Sequence, residues 1–96
     1  MGFKILISPR AIREIEHAID YYSLNSADAP AHFIHELQSA FSILETNPFF
    51  RIRYNTIRAM RLKRFPHSLY FIIDEDEKTV LVLSCFHNKQ NTNKRP

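Results

Sequence analysis

Residues 57–87 read IRAMRLKRFPHSLYFIIDEDEKTVLVLSCFH, and the period of their apolar positions decides the fold. From Ile57 to Phe65, Met60 and Leu62 alternate with Arg61 and Lys63, the two-residue repeat of a strand. Phe65-Pro66-His67 interrupts that run. Ser68–Ile73 and Thr79–Phe86 are β-branched and aromatic runs on either side of four consecutive acids, Asp74 to Glu77. They predict a β-hairpin, and their near-continuous apolarity suits central strands covered on much of both faces.

Upstream the period changes to three and four. Phe3–Ile7 predicts a first strand, and Ser8-Pro9 supplies a cap followed by proline at the first helical position. Ile12, Ile15, Ile19 and Tyr22 then mark an amphipathic helix over Arg10–Leu24, with Glu14, Glu16 and Asp20 on its wet side. A second helix starts near Asp28, capped by Asp28 or Ser26. It carries the stripe Phe33, Ile34, Leu37, Phe41, Leu44 and stops at Asn47-Pro48. Two helices joined by so short a link fold back as an antiparallel hairpin. Phe49–Asn55 reads as a loop. The order is therefore β-α-α-β-β-β, an α+β fold with the helix hairpin packed on one face of a small, mainly antiparallel sheet. One domain spans residues 1–96, with 90–96 as a polar, flexible tail.

At 96 residues and 45 % apolar content the chain has material for a single core. Its one cysteine, Cys85, excludes a disulfide framework and reads as a small buried hydrophobe in a reducing compartment. The start, MGFKILISPR, carries no signal-peptide core, and no stretch nears the roughly 18 apolar residues of a membrane span. The expected location is the cytoplasm. With one glycine there is no glycine-rich phosphate loop. Charge is unevenly placed: residues 1–50 hold three basic against six acidic side chains, whereas residues 51–96 hold ten against four. That asymmetry points to an anionic partner for the C-terminal half. His17, His32 and His35 lack the spacing and third ligand of a metal site, so neither metal nor cofactor is expected. Tyr22 and Tyr70 read as core, while Tyr21 and Tyr54 could stack on bases.

The whole succession has a likeness. A strand, Ser8-Pro9, a helix ending in Tyr21-Tyr22, and a second helix closing on Leu44-x-x-Asn47-Pro48 come first. Arg61-Leu62, Arg64-Phe65-Pro66 and a hairpin ending in Phe86-His87 follow. Over residues 3–89 this resembles the toxins of the RelE/ParE superfamily of bacterial type II toxin–antitoxin pairs, often called plasmid stabilisation proteins, and the long helix hairpin is more similar to the ParE-like branch. Many such relatives close with His-x-x-Arg-x-Pro. Here Gln90 stands at the arginine position and Thr92 at the proline position.

The resemblance implies a toxin neutralised by a cognate antitoxin and blocking an essential machine such as DNA gyrase. It also implies an alternative, a metal-independent, ribosome-dependent mRNA endoribonuclease, and a third, a non-toxic member that only binds an antitoxin. For the ribonuclease the catalytic candidates are His87 for proton transfer, with Arg61, Lys63 and Arg64 for the phosphate charge. For antitoxin or nucleic-acid binding they are Arg58, Arg61, Lys63, Arg64 and Lys89. Arg51, Arg53 and Arg58 otherwise read as solvated surface. A Cys85–His87 nucleophile would need the two side chains to meet and a third group to orient them. The implied partners are the antitoxin, in a hetero-oligomer, and gyrase or ribosome and mRNA as target, with a homodimer as an alternative state of the toxin alone and no membrane.

Overall fold

The computed structural model describes residues 2–89. Strand β1 (Lys4–Ile7) leads into helix α1 (Pro9–Ser23) and helix α2 (Ala29–Thr46), followed by β2 (Ile52–Tyr54), β3 (Ile57–Arg61), β4 (His67–Asp74) and β5 (Thr79–His87). The sheet order is β1-β5-β4-β3-β2. β1 runs parallel to β5, and every other pairing is antiparallel. The α+β class and the helix hairpin agree with the sequence. The tail expected at 90–96 lies outside the described residues, as do Gln90 and Thr92. Among the described residues no helix is long and apolar enough to cross a membrane.

Two differences from the sequence reading have plain causes. The loop expected over residues 49–55 contains the short strand β2. It pairs with β3 through a two-residue turn in which Asn55 takes a positive φ of 51°, a conformation asparagine tolerates better than most residues. The strand expected to run to Phe65 ends at Arg61. There the Leu62 N–H donates to the His67 carbonyl (2.9 Å) and the His67 N–H to the Phe65 carbonyl (2.8 Å), closing a loop around Pro66, which has no N–H to give a ladder.

Burial drives the assembly. Phe33, Leu44, Leu69, Phe71, Val80 and Val82 are fully buried where the helices meet the sheet, with Leu37, Met60, Leu62 and Cys85 around them. Ile12 and Ile34, counted in the apolar stripes, remain 44 % and 39 % exposed, so the outer helix faces keep apolar patches. Ser8 anchors α1 to the sheet. Its hydroxyl accepts the Ala11 N–H (3.1 Å) as an N-cap and donates to the Leu83 carbonyl (2.9 Å). Asp28 stands at the N-cap position of α2 without a side-chain cap bond; the Ser26 hydroxyl accepts its N–H instead.

β5 has a bulge. Tyr70 pairs with Ser84 and Phe71 with Val82, so Leu83 is an extra residue between them. The bulge lies against α1, and the site described next begins there.

Candidate functional site

Helical spacing lines up Arg10, Glu14, His17 and Tyr21 along one side of α1, with Arg13 beside them, facing the ends of β4 and β5. Glu14 ties the two layers together. Its Oε1 accepts from the Ser84 hydroxyl (2.6 Å) and from the Cys85 N–H (3.0 Å), while Oε2 faces Arg10 Nε at 3.4 Å. The carboxylate thus satisfies groups that the bulge turns away from regular pairing. Above it a groove of about 580 Å³ opens, walled by α1 on one side and by His67, Cys85 and His87 on the other.

His67 and His87 face each other as cross-strand partners, ring centroids 5.0 Å apart and nearly perpendicular. His67 is only 6 % exposed and packs against Phe33 at 5.3 Å. Its Nε2 shares a 3.1 Å hydrogen bond with the Tyr22 hydroxyl. Burial first, and the neighbouring His87 second, pull its pKa down to about 4, against a hydrogen bond with the Cys85 backbone. It is neutral at physiological pH. Burial raises the Tyr22 hydroxyl above its usual value as well. His87 accepts the Lys89 N–H on Nδ1 (3.1 Å), which leaves the proton of the neutral ring on Nε2. In that tautomer Nε2 is a donor and does not itself accept a proton.

The thiol is unsuited to attack. Burial, with the charge of Glu14 behind it, pushes Cys85 up to about 12, so it stays protonated near neutrality. Its sulfur lies 4.0 Å from Nδ1 of His67, and among the described residues no hydrogen bond joins it to His87. Among the described residues no three His, Cys, Asp or Glu side chains are grouped as a metal site.

The residues singled out by sequence are dispersed. His87 stands in the groove on the helix side. Arg61 pairs across the ladder with Ser68, which pairs with Phe86, so its side chain leaves the opposite face of the sheet. Lys63 and Arg64 occupy the β3–β4 loop, exposed, with the Lys63 N–H donating to Glu36 of α2 (2.9 Å). The Arg61–Lys63 pair on one strand face is corrected accordingly, since the strand ends between them. Arg58 is half-buried: its Nη1 donates to the Phe50 carbonyl (2.8 Å), and its guanidinium lies 5.5 Å from the centre of the Phe49 ring. Lys89 is exposed and acts on His87 through its backbone. Glu14 and His67 were not anticipated. The spacing of Arg10, Glu14, His17 and Tyr21 carried a signal for the first, but the turn around Pro66 hid the second.

Glu14 offers a direct check of the groove. Glu14→Ala leaves the buried Ser84 hydroxyl and the Cys85 N–H without an acceptor, and is expected to cost about 2–3 kcal/mol of stability in urea unfolding. Glu14→Gln keeps an oxygen at the same place and loses only the partly exposed pair with Arg10, a change of roughly 0.5 kcal/mol. Equal losses in the two variants would show that charge, not the hydrogen bonds to β5, gives the residue its role.

The sequence matches the family described as ParE toxin of type II toxin–antitoxin system, parDE, over residues 5–92. Among solved structures the fold matches a chain of the chromosomal ParDE TA system from P. aeruginosa, with a TM-score of 0.70 and 15 % identity. The match covers 88 % of this chain and 95 % of that one. At that identity the likeness speaks for the fold alone. No curated protein sequence matches. With the strand–helix hairpin–sheet succession in place and the family spanning nearly all of it, the chain belongs to the ParE toxins of type II toxin–antitoxin systems, within the RelE/ParE superfamily.

Proposed function

We propose that this toxin works by binding and blocking an essential machine such as DNA gyrase, without hydrolysis, and that a cognate antitoxin neutralises it. The observation that carries the choice of a non-hydrolytic mechanism is the separation of His87 from Arg61 by the thickness of the sheet. Metal-independent RNA cleavage needs a proton-transfer group and cations around one phosphate. Here His87 offers a donor nitrogen to a groove that also holds Glu14, while Arg61 points away from it. The antitoxin reading is supported by the family and by unpartnered surface: Ile12 on α1, Ile34 and Ile43 on α2, and β1 with its exposed Leu6 at the sheet edge.

Inducing the toxin alone in cells tests both parts. Growth should stop with cleaved DNA and an SOS response while mRNA stays intact, and purified protein should inhibit supercoiling by gyrase. His87→Ala should remain toxic. A short open reading frame beside this one, encoding a small DNA-binding protein with an acidic tail, should restore growth when co-expressed. Rapid translation arrest with codon-position cuts, lost in His87→Ala, would instead establish the ribonuclease. Unimpeded growth would establish a member that is not toxic.

A further inference from the structure

The face of the sheet opposite the helices carries a second recess, lined in part by Arg61. It measures about 300 Å³, with Arg53 and Arg61 at its rim and Tyr70 and Phe86 in its floor. Those two rings are 5 % and 3 % exposed and meet edge to face at 6.1 Å. Ser68 donates its hydroxyl to Asn88 Oδ1 at 2.7 Å, which fixes the amide with its Nδ2 turned away from Ser68. The Asn88 N–H is itself held by the Pro66 carbonyl at 2.8 Å. Among the described residues Asn88 Nδ2 is buried without a hydrogen-bond partner, and no carboxylate pairs with Arg53 or Arg61.

A buried donor with no acceptor is costly, and native proteins keep few of them. Two guanidinium groups, those of Arg53 and Arg61, line the same recess and add donors and no acceptor. The chemistry that completes the recess is an acceptor-only anion. The surroundings decide between a polyanion and a peptide. A nucleic-acid strand needs a track of cations along its phosphates. Beyond Arg53 and Arg61 this face continues instead as a cross-strand apolar row, Ile72 on β4, Leu81 on β5 and Leu6 on β1. Leu6 is 44 % exposed.

We infer that the open face of the sheet is a docking site for an acidic peptide segment, one of whose carboxylates enters the recess between Arg53, Arg61 and Asn88 Nδ2 while neighbouring apolar side chains lie on Ile72, Leu81 and Leu6. The inference deepens the antitoxin reading and rests on it only for who supplies the segment. Charge complementarity brings the segment in, and the apolar row fixes its direction.

The test is an array of eight-residue peptides that combine one Glu or Asp with apolar neighbours, each printed beside its Gln or Asn counterpart, probed with the labelled toxin. Binders should require the carboxylate, losing at least tenfold in affinity as the amide. They should weaken at least tenfold with Arg61→Gln. Asn88→Asp keeps the acceptor for Ser68 and replaces the unpaired donor with an anion. It should abolish binding while leaving the free toxin at least as heat-stable, since the new carboxylate faces two arginines. A purely structural Asn88 would lower that stability. An array with no binders, or binders indifferent to the acid and to both variants, overturns the proposal. So does selective binding of a short oligoribonucleotide to the same residues, which would make the face a nucleic-acid surface. Rescue of growth by the adjacent reading frame is unaffected by these outcomes, so failure of the recess and failure of the antitoxin reading are separable.

Discussion

Phe33→Ala is expected to remove about 3–5 kcal/mol from the stability of the toxin, the range for deleting a fully buried ring. A domain of this size has on the order of 5–15 kcal/mol in total, so one substitution takes a large share of it. Phe33 is chosen because it joins three parts of the fold. From α2 its ring contacts Tyr22 of α1 (5.3 Å), Phe65 of the β3–β4 loop (5.1 Å) and His67 of β4 (5.3 Å). Removing it opens a cavity bounded by rigid rings that cannot collapse inward, which places the cost toward the upper end. In thermal unfolding the midpoint should fall by roughly 15 °C or more. Phe33→Leu should cost far less, and Ile34→Ala, one residue along on the exposed side, under about 1 kcal/mol. A loss below about 1.5 kcal/mol for Phe33→Ala would mean that the aromatic cluster does not hold the helix hairpin to the sheet.

That cluster also shows how far the sequence could be read. Both helices, the hairpin of β4 and β5 and their central placement follow from apolar period alone, because each buries a continuous stripe or face. Phe33 and Leu44 were legible as core for this reason. β2 was not, since three residues with Arg53 in the middle leave too short a pattern to distinguish from a loop. The same limit affected Lys63: alternation of buried Leu62 with exposed Lys63 persists past the last ladder bond, so the pattern outlasts the strand.

The groove was less legible than the fold because its parts are far apart in sequence. Glu14 reaches Ser84 and Cys85 across 70 and 71 positions, and only a bulge at Leu83 brings their polar groups to it. Nothing in the run TVLVLSCF announces that extra residue. Arg61 is exposed and cationic, yet its face depends on register: its ladder partner is Ser68, one residue from the His67 that faces the helices. A one-residue step in a strand exchanges the faces. The catalytic set assembled from composition therefore separates in space, and the two halves acquire different chemistry.

His67 is where burial becomes measurable as pH dependence. Its pKa in the folded toxin is about 4 against 6.5 for the free side chain. Between those values the unfolded chain binds a proton that the native state refuses, so unfolding is favoured as pH falls. The contribution is complete above about pH 6.5, declines as pH drops toward 4 and changes little below that. With about 1.4 kcal/mol for each pKa unit, the full effect is on the order of 3 kcal/mol. Its cause is mostly desolvation, since the ring is packed against Tyr22 from α1, Phe33 from α2 and Cys85 and His87 from β5, with Phe65 of the loop backing Tyr22 and Phe33. Urea unfolding at pH 7 and pH 4 should show the loss. His67→Leu should flatten the difference, at the expense of some stability at pH 7 because the Tyr22 hydroxyl loses its partner. His87→Asn removes the second cause and thins the enclosure on that side, so it should raise the His67 pKa, as followed by proton NMR of the ring. Phe33→Ala links this result to the first: by letting water reach the imidazole it should move His67 back toward 6.5. If His67 in the intact toxin titrates near 6.5, the imidazole is hydrated, and the packing around it in the wall of the groove does not exist in solution.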